Sequence, residues 1–235
     1  MNHASRVKDL LGLRQPPIAV GFFDSPPSGV ERWEGGEAPA GCALWKKAME
    51  GRTFYTVPSD HYNCAVGCHT HGIALPSERS KELEDTVGFM VSSKYIAMEE
   101  VASIPTLGKA PGVVAYGPVD QVGFEPDAVL IAATPAQAML IYEAALKAGA
   151  GDALTHALGR PGCAVLPLTI QSGASTLSFG CKGNRTFTGL PDDEMYVCVP
   201  GEKWAAVAGK VAEVCEANAT MEQYYAGQKA RFERV

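Results

Sequence analysis

The chain has 235 residues, a hydrophobic share of 46%, a charged share of 20% and a formal net charge of −6. These values are those of an ordinary globular protein with enough apolar residues for a core. This acidic balance argues against nucleic acid or an anionic membrane as the main partner. The N-terminus shows no apolar signal-peptide segment, and no run approaches the ~20 apolar residues of a membrane span, so we expect a cytoplasmic protein.

Helical and strand-like patterns alternate along the chain and predict an α/β fold. The predicted helices cover residues 5–13, 42–50, 80–87, 93–102, 136–147, 153–158 and 203–218, and a polar helical tail follows the last of them. The predicted strands cover residues 18–23, 53–57, 112–116, 128–132, 164–168 and 195–199. Thr134 and Pro135 mark one helix start, because Thr is a good N-cap and Pro is favoured in the first turn.

Two stretches repeat the same order of elements. Each runs through a strand, a helix and a glycine to a Cys-Ala-Val sequence, which begins at Cys64 in the first stretch and at Cys163 in the second. The order predicts a single domain of two pseudo-repeated strand–helix–strand halves, roughly residues 15–105 and 110–200, with C-terminal helices over 203–235. We expect the two cysteines at equivalent strand starts, close to the junction of the halves.

Seven cysteines in a chain expected to be cytoplasmic require an explanation. Cytosolic thiols stay reduced, and an odd count fits a disulfide framework poorly. Cys198 lies in a strand-like run and Cys215 on a helical pattern, and we interpret both as small buried hydrophobes. The other five lie beside glycines and predicted turns: Cys42, Cys64, Cys68, Cys163 and Cys181.

Zinc is one candidate for these thiols. Structural zinc is usually held by close pairs such as C-x2-C, but Cys64 and Cys68 are one residue further apart and no second close pair exists. His69 and His71 could add nitrogen ligands or be surface polar residues. Zinc is therefore the weaker metal hypothesis.

An iron–sulfur cluster fits the pattern better, because it accepts thiolates from distant points of the chain. Cys42, Cys64, Cys163 and Cys181 are scattered at predicted helix starts and loop ends. This is the distribution expected when the tertiary fold brings cysteines from distant parts of the chain together around one cluster.

The glycine-rich loop around Cys181 predicts a nest of backbone N–H groups with two cations, suited to an anion or to the sulfurs of a cluster. Its candidate binding residues are Gly180, Lys182, Gly183 and Arg185. A non-redox small-molecule or anion-binding protein is thus a second hypothesis. A thiol-dependent enzyme is a third, with a helix-start cysteine as nucleophile and a nearby histidine as base.

An ordered set of motifs covers nearly the whole chain: G-C-x2-W-x2-A-x2-G from Gly41, D-H-x-N-C-x2-G from Asp60, G-C at Gly162 and S-F-G-C-x-G-x-R from Ser178. This set resembles the "domain of unknown function 169" family of bacteria and archaea. The resemblance implies a single α/β domain and suggests that the four scattered cysteines form the functional set. It implies no activity.

Our leading hypothesis is therefore a cytoplasmic [4Fe–4S] protein. Cys42, Cys64, Cys163 and Cys181 are its expected ligands, and a small-molecule substrate or a redox partner is its expected partner. The cluster would act in electron transfer if four thiolates bind it, or as a Lewis acid if only three do. The roles of Cys68, His69 and His71 stay open.

Overall fold

The computed structural model describes residues 3–151 and 157–232 and contains one seven-stranded sheet with helices on both faces. The strands are β1 (Ile18–Phe23), β2 (Phe54–Thr56), β3 (Val113–Pro118), β4 (Ala128–Ala133), β5 (Ala157–Leu158), β6 (Thr176–Ser178) and β7 (Met195–Pro200). The helices are α1 (His3–Leu11), α2 (Ala43–Met49), α3 (Ala65–Thr70), α4 (Lys81–Ser92), α5 (Met98–Val101), α6 (Pro135–Lys147), α7 (Val165–Ser172), α8 (Lys182–Thr188) and α9 (Trp204–Phe232). The predicted α/β class is confirmed.

The strands lie in the order β2-β3-β1-β4-β7-β6-β5. Their pairings are antiparallel except that between β5 and β6, which is parallel. Strand β1 places Val20 opposite Tyr116 of β3 and Ile18 opposite Leu130 of β4. Because both faces of the central strands are covered, their residues are buried almost without interruption.

The two faces of the sheet have separate cores, because successive strand residues point to opposite sides. Leu130 and Cys198 pack on one face, together with residues of α2 and α7. Ile131 and Val197 pack on the other, where α1, α6 and α9 cover the sheet. Across the part of the chain that is described, no helix combines the length and the apolarity needed to cross a membrane.

Two sequence predictions of local structure are wrong. The predicted strand 164–168 is the start of α7, and Pro167 lies in its first turn. A proline is tolerated there because its missing N–H needs no partner, whereas in a strand it would interrupt the ladder. The predicted helix 153–158 ends as strand β5, paired with β6, and its residues 153–156 lie outside the described residues.

The predicted strand starts at Cys64 and Cys163 are also wrong, since both residues lead into helices. Cys64 immediately precedes α3, and Cys163 lies in a 3-10 turn, Gly162–Ala164, that continues into α7. The first helices of the predicted halves, α2 and α6, pack on opposite faces of the sheet. The pseudo-repeat itself stays a prediction.

Candidate functional site

One cavity of about 530 Å³ brings the four scattered cysteines together. It lies where the ends of several helices meet, and its wall includes Cys42, Cys64, Cys163 and Cys181. Each of these residues directly precedes a helix or lies in the turn that leads into one. The sequence therefore identified four residues that the fold gathers from positions as far apart as 42 and 181.

The thiols influence one another's ionisation. Burial is the largest of the causes that together raise the pKa of Cys42 to about 12, and the neighbouring Cys64 and Cys181 also contribute because adjacent negative charges repel. Burial also raises the pKa of Cys163 well above its ordinary value, and Cys64 is the next cause. In the absence of a cation, Cys42 and Cys163 are therefore neutral thiols at pH 7.

Glycines beside these cysteines leave room for the sulfur atoms. A Cβ at Gly67 would lie 2.8 Å from the Sγ of Cys64, closer than such atoms approach in proteins. A Cβ at Gly162 would lie 3.2 Å from the backbone nitrogen of Cys181. Gly67 thus leaves room for the sulfur of Cys64, and Gly162 allows the close approach of the segments that carry Cys163 and Cys181.

Asn184 is a site residue that the sequence analysis missed. Its side chain lines the cavity, is 2% exposed and faces the Cys42 thiol, whose pKa it lowers, an effect smaller than that of burial. Neither of its amide atoms has a hydrogen-bonding partner of ordinary geometry among the described residues. Since buried amides are normally hydrogen-bonded, Asn184 is suited to a ligand in the cavity.

The glycine-rich loop at Cys181 forms the start of α8 and not an open nest. The Sγ of Cys181 caps this helix by accepting a hydrogen bond from the backbone N–H of Asn184 at 3.4 Å. Of the four predicted binding residues, Lys182 and Gly183 line the cavity. Gly180 adopts the left-handed φ of 73° at the turn before the cysteine, outside the cavity wall.

Arg185 is engaged elsewhere. Its guanidinium donates hydrogen bonds to the backbone carbonyls of Phe179 at 2.6 Å and Glu194 at 2.9 Å, and it also reaches those of Leu190 and Pro191. Arg185 therefore fixes the loop that carries Cys181, and its predicted role as a direct ligand of an anion stays a prediction.

Of the residues between positions 61 and 71, some line the cavity and others are buried in the core. His69 lines the cavity, whereas Cys68 is fully buried and its thiol donates to the backbone carbonyl of His61 at 3.2 Å. His71 is buried outside the cavity wall, edge-on to Phe22 with ring centroids 5.3 Å apart. Burial lowers the pKa of His61 to about 4 and that of His71 to about 3, so both imidazoles are neutral at pH 7.

The remaining cysteines lie away from the cavity. Cys198 is fully buried in β7 with a pKa raised by burial to about 12, and Cys215 packs partly buried on α9. Over residues 3–151 and 157–232, no group of three or more His, Cys, Asp or Glu side chains is placed to hold a metal ion. Metal binding by the four cavity cysteines therefore stays a prediction.

Comparison with known proteins agrees with the resemblance found in the sequence. A family model for domain of unknown function 169, described as uncharacterised ArCR, matches residues 6–209. The uncharacterized protein MJ0308 of Methanocaldococcus jannaschii is 24% identical over 210 residues, which cover 86% of this chain and 88% of that protein. No solved structure matches the chain significantly.

Proposed function

Because the chain belongs to the family of domain of unknown function 169, we propose its function from its own site: it is a cytoplasmic protein that holds a [4Fe–4S] cluster. The observation that carries the proposal is the shared cavity, whose wall includes the thiols of Cys42, Cys64, Cys163 and Cys181. Iron–sulfur clusters are held by four such thiolates, which need not be close in sequence.

The arrangement supports a cluster better than a single ion. A zinc ion requires four ligand atoms that converge at about 2.0–2.3 Å on one point. In a [4Fe–4S] cluster each thiolate binds a different iron, so the sulfur atoms stand further apart around a larger core. Four cysteines on the wall of one cavity of about 530 Å³ are compatible with such a larger core.

The electrostatics of the site also favour the binding of a cation. The pKa values of Cys42 and Cys163 are raised by burial and by the neighbouring thiols, so unbound thiolates would repel one another in a partly dry cavity. Bound iron would reverse this, because a coordinating thiol is deprotonated outright. The unpartnered amide of Asn184 could donate to a cluster sulfur, and such hydrogen bonds tune the reduction potential.

The cluster, when bound, would supply one-electron transfer, or Lewis-acid chemistry if one iron lacks a protein thiolate. The chain's own residues would exclude bulk water on the core side, where Cys42 is 7% exposed. They would also hold the thiolates in place through helix starts whose backbone is fixed by hydrogen bonds, such as that from Cys68 N–H to the carbonyl of Cys64 at 2.8 Å.

The test is anaerobic purification followed by reconstitution with iron and sulfide. We expect about four irons and four sulfides per chain and a brown protein whose cluster is visible by absorption and, once reduced, by electron paramagnetic resonance. Protein that binds neither iron nor sulfide under these conditions would contradict the proposal. Binding of one zinc per chain in place of iron would favour the zinc alternative.

A second function, non-redox binding of a small anion, is favoured by one observation: Lys182 and Arg160 line the cavity, whereas no Asp or Glu among the described residues does. A thiol-dependent enzyme has less support. No described imidazole hydrogen-bonds to a cavity thiol, and the raised pKa values of Cys42 and Cys163 are opposite to those of an activated nucleophile.

A further inference from the structure

The cavity has a second wall, which is apolar. None of the residues of α4 or α5 is buried in the core. Leu83, Val87 and Met90 of α4 instead face the cavity, and their spacing of four and three residues places them on one side of the helix. The wall is completed by Ile96, Val101 and Ile104.

Among the residues that the structure describes, none covers this wall on its cavity side. Amphipathic helices of globular proteins normally cover their apolar stripe with core residues. Here the stripe faces a space of about 530 Å³, which is within the range of ~300–1,000 Å³ typical of small-molecule sites. An apolar ligand in that space would remove the stripe from water.

The rim of the cavity carries positive charge. Lys182 and Arg160 are both exposed where they line the space, so they lie at its mouth. The guanidinium of Arg160 stacks 4.9 Å from the centre of the Tyr95 ring, which fixes its position. Lys182 makes no ion pair with any residue that the structure describes.

The charge at this mouth contrasts with the rest of the chain. The protein has 26 acidic and 20 basic residues, yet the described wall of the cavity contains two cations and no carboxylate. A cavity with cations at its mouth and aliphatic side chains within it is complementary to a molecule with one anionic end and one apolar end.

We propose that the cavity binds a small amphipathic anion, an aliphatic chain of medium length that ends in a carboxylate or a phosphate. The chain would lie along Leu83, Val87 and Met90, and the anionic group would lie at Lys182 and Arg160. This inference rests on the proposed function, because the cluster would be the reacting group. The four thiols, and hence the cluster, share the same cavity as the ligand. The inference thus names the class of substrate that the cluster would meet.

The first experiment is titration calorimetry with hexanoate, octanoate and decanoate, on both iron-free and reconstituted protein. Burial of a methylene tightens binding by about four-fold, so affinity should rise steeply along this series until the cavity is full. Decanol should bind about five-fold more weakly than decanoate, because it lacks the charge that pairs with Lys182. Decyl phosphate, compared with decanoate, identifies which anionic group is preferred.

Two pairs of variants locate the ligand. Lys182→Met should weaken decanoate binding about five-fold and leave decanol binding unchanged, whereas Lys210→Met, on the surface of α9, should alter neither. Val87→Asn should weaken every member of the series, and Val91→Asn, on the same helix but outside the cavity wall, should not. Circular dichroism of each variant checks that α4 and the fold are intact.

The outcomes separate this inference from the proposed function. Reconstituted protein that holds iron but shows no dependence on chain length would overturn the inference alone. Iron-free protein that binds decanoate and never takes up iron would overturn the cluster and leave the binding site. If Lys182→Met lowers iron content without changing decanoate affinity, the rim cations serve the cluster and the inference is wrong.

Discussion

The hydroxyl of Thr70 donates a hydrogen bond to the Sγ of Cys163 at 3.4 Å, across 93 positions of sequence. The same hydroxyl lies 3.0 Å from the backbone carbonyl of Gly67. Thr70 is fully buried at the end of α3, the helix that Cys64 begins. One side chain thus connects the segment after Cys64 to the turn that carries Cys163, and it opposes the rise in the pKa of that thiol caused by burial.

The replacement of Thr70 by Val should therefore destabilise the protein. It removes a buried donor from the carbonyl of Gly67 and from Cys163, and we expect the free energy of unfolding to fall by ~1–3 kcal/mol. Denaturant unfolding of iron-free, reduced protein measures this. Thr70→Ser keeps the hydroxyl and serves as the control, so a loss in Thr70→Ser with none in Thr70→Val would show that the methyl group and not the hydrogen bond matters.

The four cavity thiols should differ from the other cysteines in iron binding. Replacement of Cys42, Cys64, Cys163 or Cys181 by Ser should lower bound iron sharply in reconstituted protein, because a hydroxyl is a poorer ligand than a thiolate. The control replacements are Cys198→Ser and Cys215→Ser, which should retain iron; Cys198→Ser should lose ~1–3 kcal/mol of stability through a buried hydroxyl.

Cys68 gives the sharpest version of this test. Its thiol is fully buried and donates to the carbonyl of His61, outside the cavity wall, so Cys68→Ser should retain iron. Iron lost from Cys68→Ser but kept in Cys42→Ser would move the metal site to the stretch from Cys64 to His71.

Gly67 should be intolerant of a side chain, although it lies inside a helix where Ala is normally favoured. A Cβ there would lie 2.8 Å from the Sγ of Cys64, so Gly67→Ala must displace the thiol or the helix. We expect loss of bound iron and lower stability. The control is Gly209→Ala in α9, where a Cβ meets no atom within 4 Å and where the change should stabilise the helix by ~1 kcal/mol. Full iron binding by Gly67→Ala would contradict this account.

The sequence was sufficient to predict the α/β class, but not the local structure around Cys64 and Cys163. The four scattered cysteines lie on one cavity, and their assignment as metal ligands stays a prediction. Short apolar runs such as those after Cys64 and Cys163 fit a strand or a buried helix equally well. Pro167 was the available signal for a helix start at α7, since a proline in a strand would break the ladder.

The apolar cavity wall could not be predicted, for a different reason. The spacing of Leu83, Val87 and Met90 indicates a helix with one apolar side, and such a side normally packs on a core. Only the tertiary arrangement shows that it faces a cavity. The sequence signal for Asn184 was weaker. It lies three residues after Cys181 within the S-F-G-C-x-G-x-R motif, where its backbone N–H donates to the Sγ of Cys181, which caps the helix.

The buried histidines predict an acid-dependent loss of stability. The pKa of His71 is lowered to about 3, first by burial and then by His61, whose own pKa is lowered to about 4. In the unfolded chain both imidazoles bind a proton below about pH 6.5. From there down to the folded pKa values the unfolded state holds more protons, so the free energy of unfolding decreases as the pH falls. Each histidine contributes up to about 1.4 kcal/mol per pH unit.

Replacement of His71 by Leu should remove one of these two contributions and reduce the slope of stability against pH between about pH 6.5 and pH 5, above the range in which ordinary carboxylates titrate. Denaturant unfolding of the iron-free, reduced protein at several pH values gives this slope directly. Phe22→Leu is the matched control, because Phe22 packs edge-on against the His71 ring and its loss removes packing but no titrating group. That variant should be less stable by a similar amount at every pH. A slope that is unchanged in His71→Leu would mean that the imidazole is protonated in the folded protein, or is reached by water, and the burial of His71 would have to be reconsidered.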